Sequence, residues 1–190
     1  MARNTITDEL IIETSARLAN EVGLDSPSLK MIAEALDIKS PSLYNHFSSL
    51  GDIKEKLMIY GWTQLGDYAI ASTVGVSGYD ALRKMCHAFY EYSTKNKGVF
   101  QAILWYNKFK SEEMRSATTK IFAILHKILE PLNISSKNVE HIIRTLRSFL
   151  EGFSLLVNND AFGNPLSIKK SFDLSLDIII EGIKSLEGAK

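Results

Sequence analysis

Apolar residues recur every three to four positions along almost the whole chain, and no run alternates apolar and polar residues between turn signals. A period near 3.6 lines up one face of an α-helix, whereas a strand needs a period of two. The expected fold is therefore all-α, with about nine helices and no sheet. Only four prolines, Pro27, Pro41, Pro131 and Pro165, punctuate the pattern, and each suits a helix start, a helix end or a loop. The chain of 190 residues is long enough for one full core, or for a small domain joined to a larger one.

Composition removes several classes. With 45% hydrophobic and 23% charged residues, the chain has the makeup of a packed protein and not of a disordered one. No apolar run approaches the ~18 residues of a membrane span. The opening Met1-Ala2-Arg3-Asn4-Thr5 has no apolar leader core. The expectation is a cytoplasmic protein with no membrane partner. Cys86 is the single cysteine, which leaves neither an intrachain disulfide nor a cysteine-rich zinc site. The formal net charge is zero, so any nucleic-acid partner must be recognised by local arrangement instead of by bulk charge.

Capping residues divide the first part of the chain. Thr7 is placed to cap a helix reaching Val22, with Asp8 and Glu9 on its positive end and Leu10, Ile11, Thr14, Ser15, Leu18 and Val22 as the buried stripe. Gly23 is expected to stop it in a left-handed C-cap. Ser28 caps a short second helix to Leu36. After Asp37-Ile38-Lys39, Ser40 caps a third, with Pro41 at the first helical position, running to about Ser48. A fourth runs from near Asp52 to Ala71. Beyond a Gly/Ser/Val-rich loop, helices are expected at 79–95, 99–108, 111–130, 136–158 and 167–186.

Residues 28–47 carry the most information. Two short helices joined by a three-residue turn, with small Ala33 at their crossing and Ile38 and Leu43 between them, make a helix-turn-helix. The second helix presents Lys39, Ser40, Ser42, Asn45 and His46. Hydroxyls and an amide there suit base edges, and the helix N-terminus suits phosphate. Phe47 is expected in the core, Tyr44 either in the core or on a phosphate, and Lys54 and Lys56 either on a solvated face or on DNA.

Residues 11–57 resemble the DNA-binding domain of TetR-type repressors. The resemblance runs through Ile11, Ala16, Leu18 and Gly23, then Ser28-Leu29-Lys30-Met31-Ile32-Ala33. It continues through Ile38 to Phe47, where Leu43-Tyr44-Asn45-His46-Phe47 is its most specific part. It implies that Lys39, Ser40, Ser42 and Asn45 face the major groove of a double-stranded operator. It also implies that Ser28, Tyr44 and His46 meet phosphates, with Lys30, Pro41 and Lys54 completing the DNA-binding set and Arg3 reaching the backbone from an arm. Two departures stand out: Asp37 replaces the usual turn glycine, and Leu50 replaces a lysine before the fourth helix. Asp tolerates left-handed backbone, so the turn survives.

A weaker resemblance to one branch of TetR-type ligand domains runs through Arg147 to Phe153, with Glu151 where histidine is common, and through Phe162-Gly163-Asn164-Pro165, Ser171-Phe172 and Gly182. The implied organisation is a helix-turn-helix domain over 1–50, a linking helix over 51–71 and a ligand-binding and dimerisation bundle over 72–190. Tyr68, Phe89, Tyr90, Trp105, Tyr106, Phe122, Phe149 and Phe153 are the candidate walls of an effector pocket for an apolar or aromatic small molecule. The last two helices carry more apolar positions than one stripe needs, among them Leu156, Phe172, Leu174 and Ile178, which suits pairing with their symmetry mates in a homodimer. No catalytic motif, metal site or cofactor signature is present, and neighbouring Cys86 and His87 diverge on a helix and make no dyad. A helical-bundle enzyme or carrier, and an interaction module that has lost DNA binding, are the rival readings. Gly61 and Gly66 in the fourth helix would permit bending or close packing.

Overall fold

The computed structural model describes residues 5–24, 27–105 and 111–188. Among these residues the chain forms nine α-helices and no strand: α1 (Asp8–Val22), α2 (Leu29–Ala35), α3 (Ser40–Leu43), α4 (Leu50–Ser72), α5 (Gly78–Lys95), α6 (Lys97–Ile103), α7 (Glu112–Leu129), α8 (Ser136–Asn158) and α9 (Ile168–Lys184). A 3-10 turn, Glu130–Leu132, follows α7. No described helix is long and apolar enough to cross a membrane. The chain divides into two compact units, one of Met1–Gln64 with Asn96–Thr118, the other of Leu65–Lys95 with Thr119–Lys190.

The first unit is built on Ile11, Ile12, Leu18, Ile32, Ala33, Leu43, Phe47 and Ile53, with Ile38 and Leu50 packed at its edge. Thr7 caps α1 by accepting from Leu10 N at 3.3 Å, and Ser28 caps α2 by accepting from Met31 N at 3.2 Å. Asp37 takes φ 52°, the left-handed turn that its side chain tolerates. Gly23 also has positive φ, 88°, but with ψ 156° it is not the left-handed cap expected of it. The buried face of α1 is wider than its sequence stripe. Ile12, Ala16 and Ala19 are buried as well, while Val22 is exposed. The cause is α6, which packs on α1. A β-carbon on Gly98 would lie 1.9 Å from the Ala19 carbonyl oxygen, so the crossing needs glycine. Asn20 Oδ1 accepts from Gly98 N and Val99 N, both at 3.0 Å, and thereby caps α6 from another helix.

Three helix boundaries differ from expectation. The N-cap of α3 is Lys39, without a side-chain bond, so Ser40 and Pro41 are its first two helical residues. Proline costs nothing there, because the first N–H groups of a helix lack intrahelical partners in any case. Second, α3 ends at Leu43, not near Ser48. Tyr44, Asn45 and His46 continue it only through tighter bonds to Pro41 O, Ser42 O and Leu43 O. Ser48 N cannot extend it, since it donates to Asp52 Oδ2 at 3.0 Å. Third, α6 spans Lys97–Ile103 and not 99–108, and the expected continuation over 106–110, with Tyr106, lies outside the described residues.

In the second unit α5 packs on α8, and α8 on α9. Leu82, Met85, Cys86, Leu146, Leu150, Phe172, Leu176 and Ile180 are buried there. Ser167 caps α9 through Lys170 N at 3.3 Å. The glycines of α4 serve close packing. A β-carbon on Gly61 would come within 2.7 Å of Val99 Cγ1, and one on Gly66 within 3.3 Å of Lys120 Cβ.

Candidate functional site

The surface of α3 follows from how the segment is anchored. Leu43 and Phe47, four residues apart, share one face and are both buried. The opposite face therefore points to solvent. Lys39, Pro41, Tyr44 and Asn45 are exposed, Tyr44 at 59%, while Ser40 and Ser42 are half-buried. Tyr44, left open between core and surface by its sequence, is on the surface. The exposed hydroxyl, amide and ammonium groups form a compact polar patch able to donate and accept at the edges of a flat, hydrogen-bonding partner.

The flanking candidates are more engaged. Ser28 is exposed, but its hydroxyl oxygen is occupied by the α2 cap. Lys30 lies 3.7 Å from Glu34 in an exposed pair of the kind worth little to stability. Lys54 Nζ stands 5.3 Å from the centre of the Trp105 ring, and Lys56 is paired with Glu113. His46, expected on the exposed face, is half-buried, and its Nδ1 lies 2.6 Å from Asp8 Oδ1. Arg3 lies outside the described residues.

Two features escaped the sequence reading. Ser49 Oγ accepts from Asp52 N at 3.1 Å, and the Asp52 carboxylate accepts from Ser48 and Ser49 in return, a reciprocal cap that starts α4 at Leu50. These bonds, that from the Ser48 hydroxyl foremost, hold the Asp52 carboxyl below its ordinary value. The Ser-x-x-Asp spacing was a usable signal. Leu50, read only as a missing cation, packs against the core and seats this helix start.

Three of the aromatic candidates meet in the second unit. Tyr90, Phe149 and Phe153 gather around Phe172, with ring centres 4.4, 5.3 and 5.3 Å from it. Phe172, one of the apolar positions in excess of a single stripe on the last helix, is fully buried at the centre of this cluster. His87 meets it edge-on at 5.3 Å and lies 3.4 Å from Asp173. Phe89 is buried on α5. Tyr68 donates to Glu91 at 3.0 Å, and Phe122 lies under Arg147 at 6.0 Å. Trp105 belongs to the first unit. A cavity of about 80 Å³ borders Phe153, between it and Phe162, Leu166 and Ile168. Leu155 and Leu156 on α8, and Leu174 and Ile178 on α9, remain exposed, the last two above 60%. Among the described residues no group of His, Cys, Asp and Glu is arranged to hold a metal ion.

Two family models match the chain, one in its N-terminal part and one beyond it. Residues 11–57 match the family model described as bacterial regulatory proteins, tetR family. Residues 82–179 match the one described as the tetracyclin repressor-like C-terminal domain. A relative in Bacillus subtilis strain 168, an uncharacterised HTH-type transcriptional regulator named YobS, is 28% identical over 179 residues, covering 94% of this chain and 93% of its own. A possible TetR family transcriptional regulator from Streptomyces coelicolor superposes with a TM-score of 0.76 at 14% identity, over 95% of this chain and all of its own. A substituted TetR from Acinetobacter baumannii AYE, solved in complex with minocycline, superposes with a TM-score of 0.73 at 19% identity, over 97% of this chain and all of its own.

Proposed function

The chain belongs to the TetR family of transcriptional regulators, and from that premise we propose that it is a cytoplasmic, homodimeric repressor that a small molecule releases from a palindromic DNA operator. The observation that carries the reading is the α3 patch. Lys39, Tyr44 and Asn45 stand on solvent beside half-buried Ser42, while Leu43 and Phe47 fix the segment from beneath. A major groove admits such an element, and Asn pairs adenine bidentately while Ser suits either base. Tyr44 and the Lys39 ammonium reach phosphates flanking those bases. Ser28, Lys30, Ser40, Pro41, His46 and Lys54 surround the patch as its positioning contacts. Regulation and not catalysis is the function that this arrangement serves.

Dimerisation supplies the second half-site. Leu174 and Ile178 on α9 and Leu155 and Leu156 on α8 are among the large apolar residues left exposed. Pairing these two helices with their symmetry mates buries them and sets two recognition segments a fixed distance apart. The effector site centres on Tyr90, Phe149, Phe153 and Phe172, whose stacked and edge-on rings suit a planar apolar molecule. Because α4 and α7 contribute residues to both units, they are the elements through which effector binding changes the half-site spacing. The effector weakens operator binding only by its own preference between the two states, about 1.4 kcal/mol for each factor of ten.

Substituting Ser42→Ala with Tyr44→Ala tests the reading. The double variant is expected to unfold at the native temperature and still dimerise, yet to lose binding to duplexes enriched by the native protein. Unchanged duplex binding would remove the α3 patch from the function.

A further inference from the structure

The contact between α5 and α8 changes character toward the ends of both helices. Leu82, Met85 and Phe89 on α5, and Leu146 and Leu150 on α8, bury apolar side chains. The next turn of each stripe is polar. Ser93 on α5 and Ser154 on α8 are fully buried, and Asn158 follows Ser154 by four residues on the same face. Asn158 Nδ2 donates to Ser93 O at 3.0 Å, which sets Ser93 beside that face and fixes which end of the amide is the oxygen. Ser93 Oγ, Ser154 Oγ and Asn158 Oδ1 are buried without a hydrogen-bond partner among the described residues. Buried polar atoms are costly when unpaired, so two hydroxyls and an amide oxygen gathered at one seam call for a shared partner.

The aromatic cluster adjoins this seam. Tyr90, one turn before Ser93, meets Phe153, the neighbour of Ser154, edge-on with ring centres 5.9 Å apart. We propose that Ser93, Ser154 and Asn158 are the polar anchor of the effector site, and that the effector is a neutral aromatic molecule bearing a hydroxyl or a carboxamide. The chemistry of the three atoms selects that group. Asn158 Oδ1 only accepts, so the ligand must donate to it. The serine hydroxyls also have protons to give, so the ligand must accept as well. A hydroxyl and a carboxamide each do both. A carboxylate has no proton for the amide oxygen. An ammonium accepts nothing and would lose its water to neutral partners alone.

The inference rests on the effector site proposed above, and a set of one-ring probes separates the two. Phenol, benzamide, toluene and benzoate are titrated into the full chain, with binding followed by ligand-observed NMR. Phenol and benzamide are expected to bind about tenfold more tightly than toluene, the gain from about one buried hydrogen bond. Benzoate is expected to bind more weakly than either. Ser93→Ala and Ser154→Ala, each checked for native helical content, are expected to lower phenol affinity toward that of toluene and to leave toluene unchanged. Equal affinities of phenol and toluene for the native chain would keep the effector site and overturn the anchor. Phenol binding that neither substitution weakens would overturn it too, and would leave the three atoms to an internal water. Failure of all four probes to bind would reject the effector site on these rings, and the inference with it.

Discussion

Gly98 and Asn20 are where single atoms decide the packing of the first unit. With only 1.9 Å between a β-carbon at 98 and the Ala19 carbonyl oxygen, Gly98→Ala must push α6 off α1. Overpacking of this kind costs about 1–3 kcal/mol, read as a lower urea midpoint. Asn20→Ala strips the cap from α6 and is expected to cost about 1 kcal/mol in the same assay. Cys86 gives a reactivity test. Burial pushes its thiol up to about 12, so iodoacetamide at pH 8 should label it only after unfolding. The sign of its pH effect follows. The unfolded thiol ionises first, near pH 9, so its contribution to stability is full below that value and is lost as pH climbs toward 12. Local signals in the sequence placed Thr7, Ser28, Asp37 and Phe47 correctly, because each role depends on residues within four positions. Asn20 could not be placed that way. Its partners lie 76 to 79 residues away, and only the folded crossing of α1 and α6 brings them together.

At the scale of elements, α3 and α4 show what a sequence period leaves open. The existence of both helices was legible from apolar spacing, and so was α8, whose bounds match those expected. The short span of α3 was not, because its end is decided by competition. Asp52 takes the Ser48 N–H that would otherwise have continued the helix. Asp52→Asn is therefore expected to lower stability at neutral pH. Hydrogen bonds hold the native carboxyl below its usual value, so its stabilising effect is present above about pH 4 and disappears as pH falls through the folded value. Native and variant unfolding curves should converge in acid, and curves that stay parallel would show that the carboxylate plays no such part. The aromatic residues make the complementary case. Composition announced that many rings had to be buried, but their helical spacing could not say which would meet. Phe172, one of many apolar positions on the last helix, is the hub for Tyr90, Phe149 and Phe153.

For the molecule as a whole, the proposed half-sites and effector response require a dimer. Ile178→Asp places a charge on the exposed apolar strip of α9, where solvent tolerates it in a monomer and a paired helix does not. Light scattering after gel filtration is expected to show dimers for the native chain and monomers for the variant, with unchanged helical content. Monomers for both would leave the strip without the role given to it. With zero net charge, the proposed affinity for DNA has only the α3 patch and its neighbours to draw on, so duplex binding is expected to weaken with salt less steeply than for a basic protein. The most direct measurement of the central claim is selection of bound duplexes from a random DNA pool by the purified protein, followed by sequencing. The expected result is a palindrome with half-sites about one helical turn or more apart, absent when Ser42→Ala and Tyr44→Ala are combined. Recovery of no common sequence at low salt, or of the same palindrome by the double variant, would contradict it.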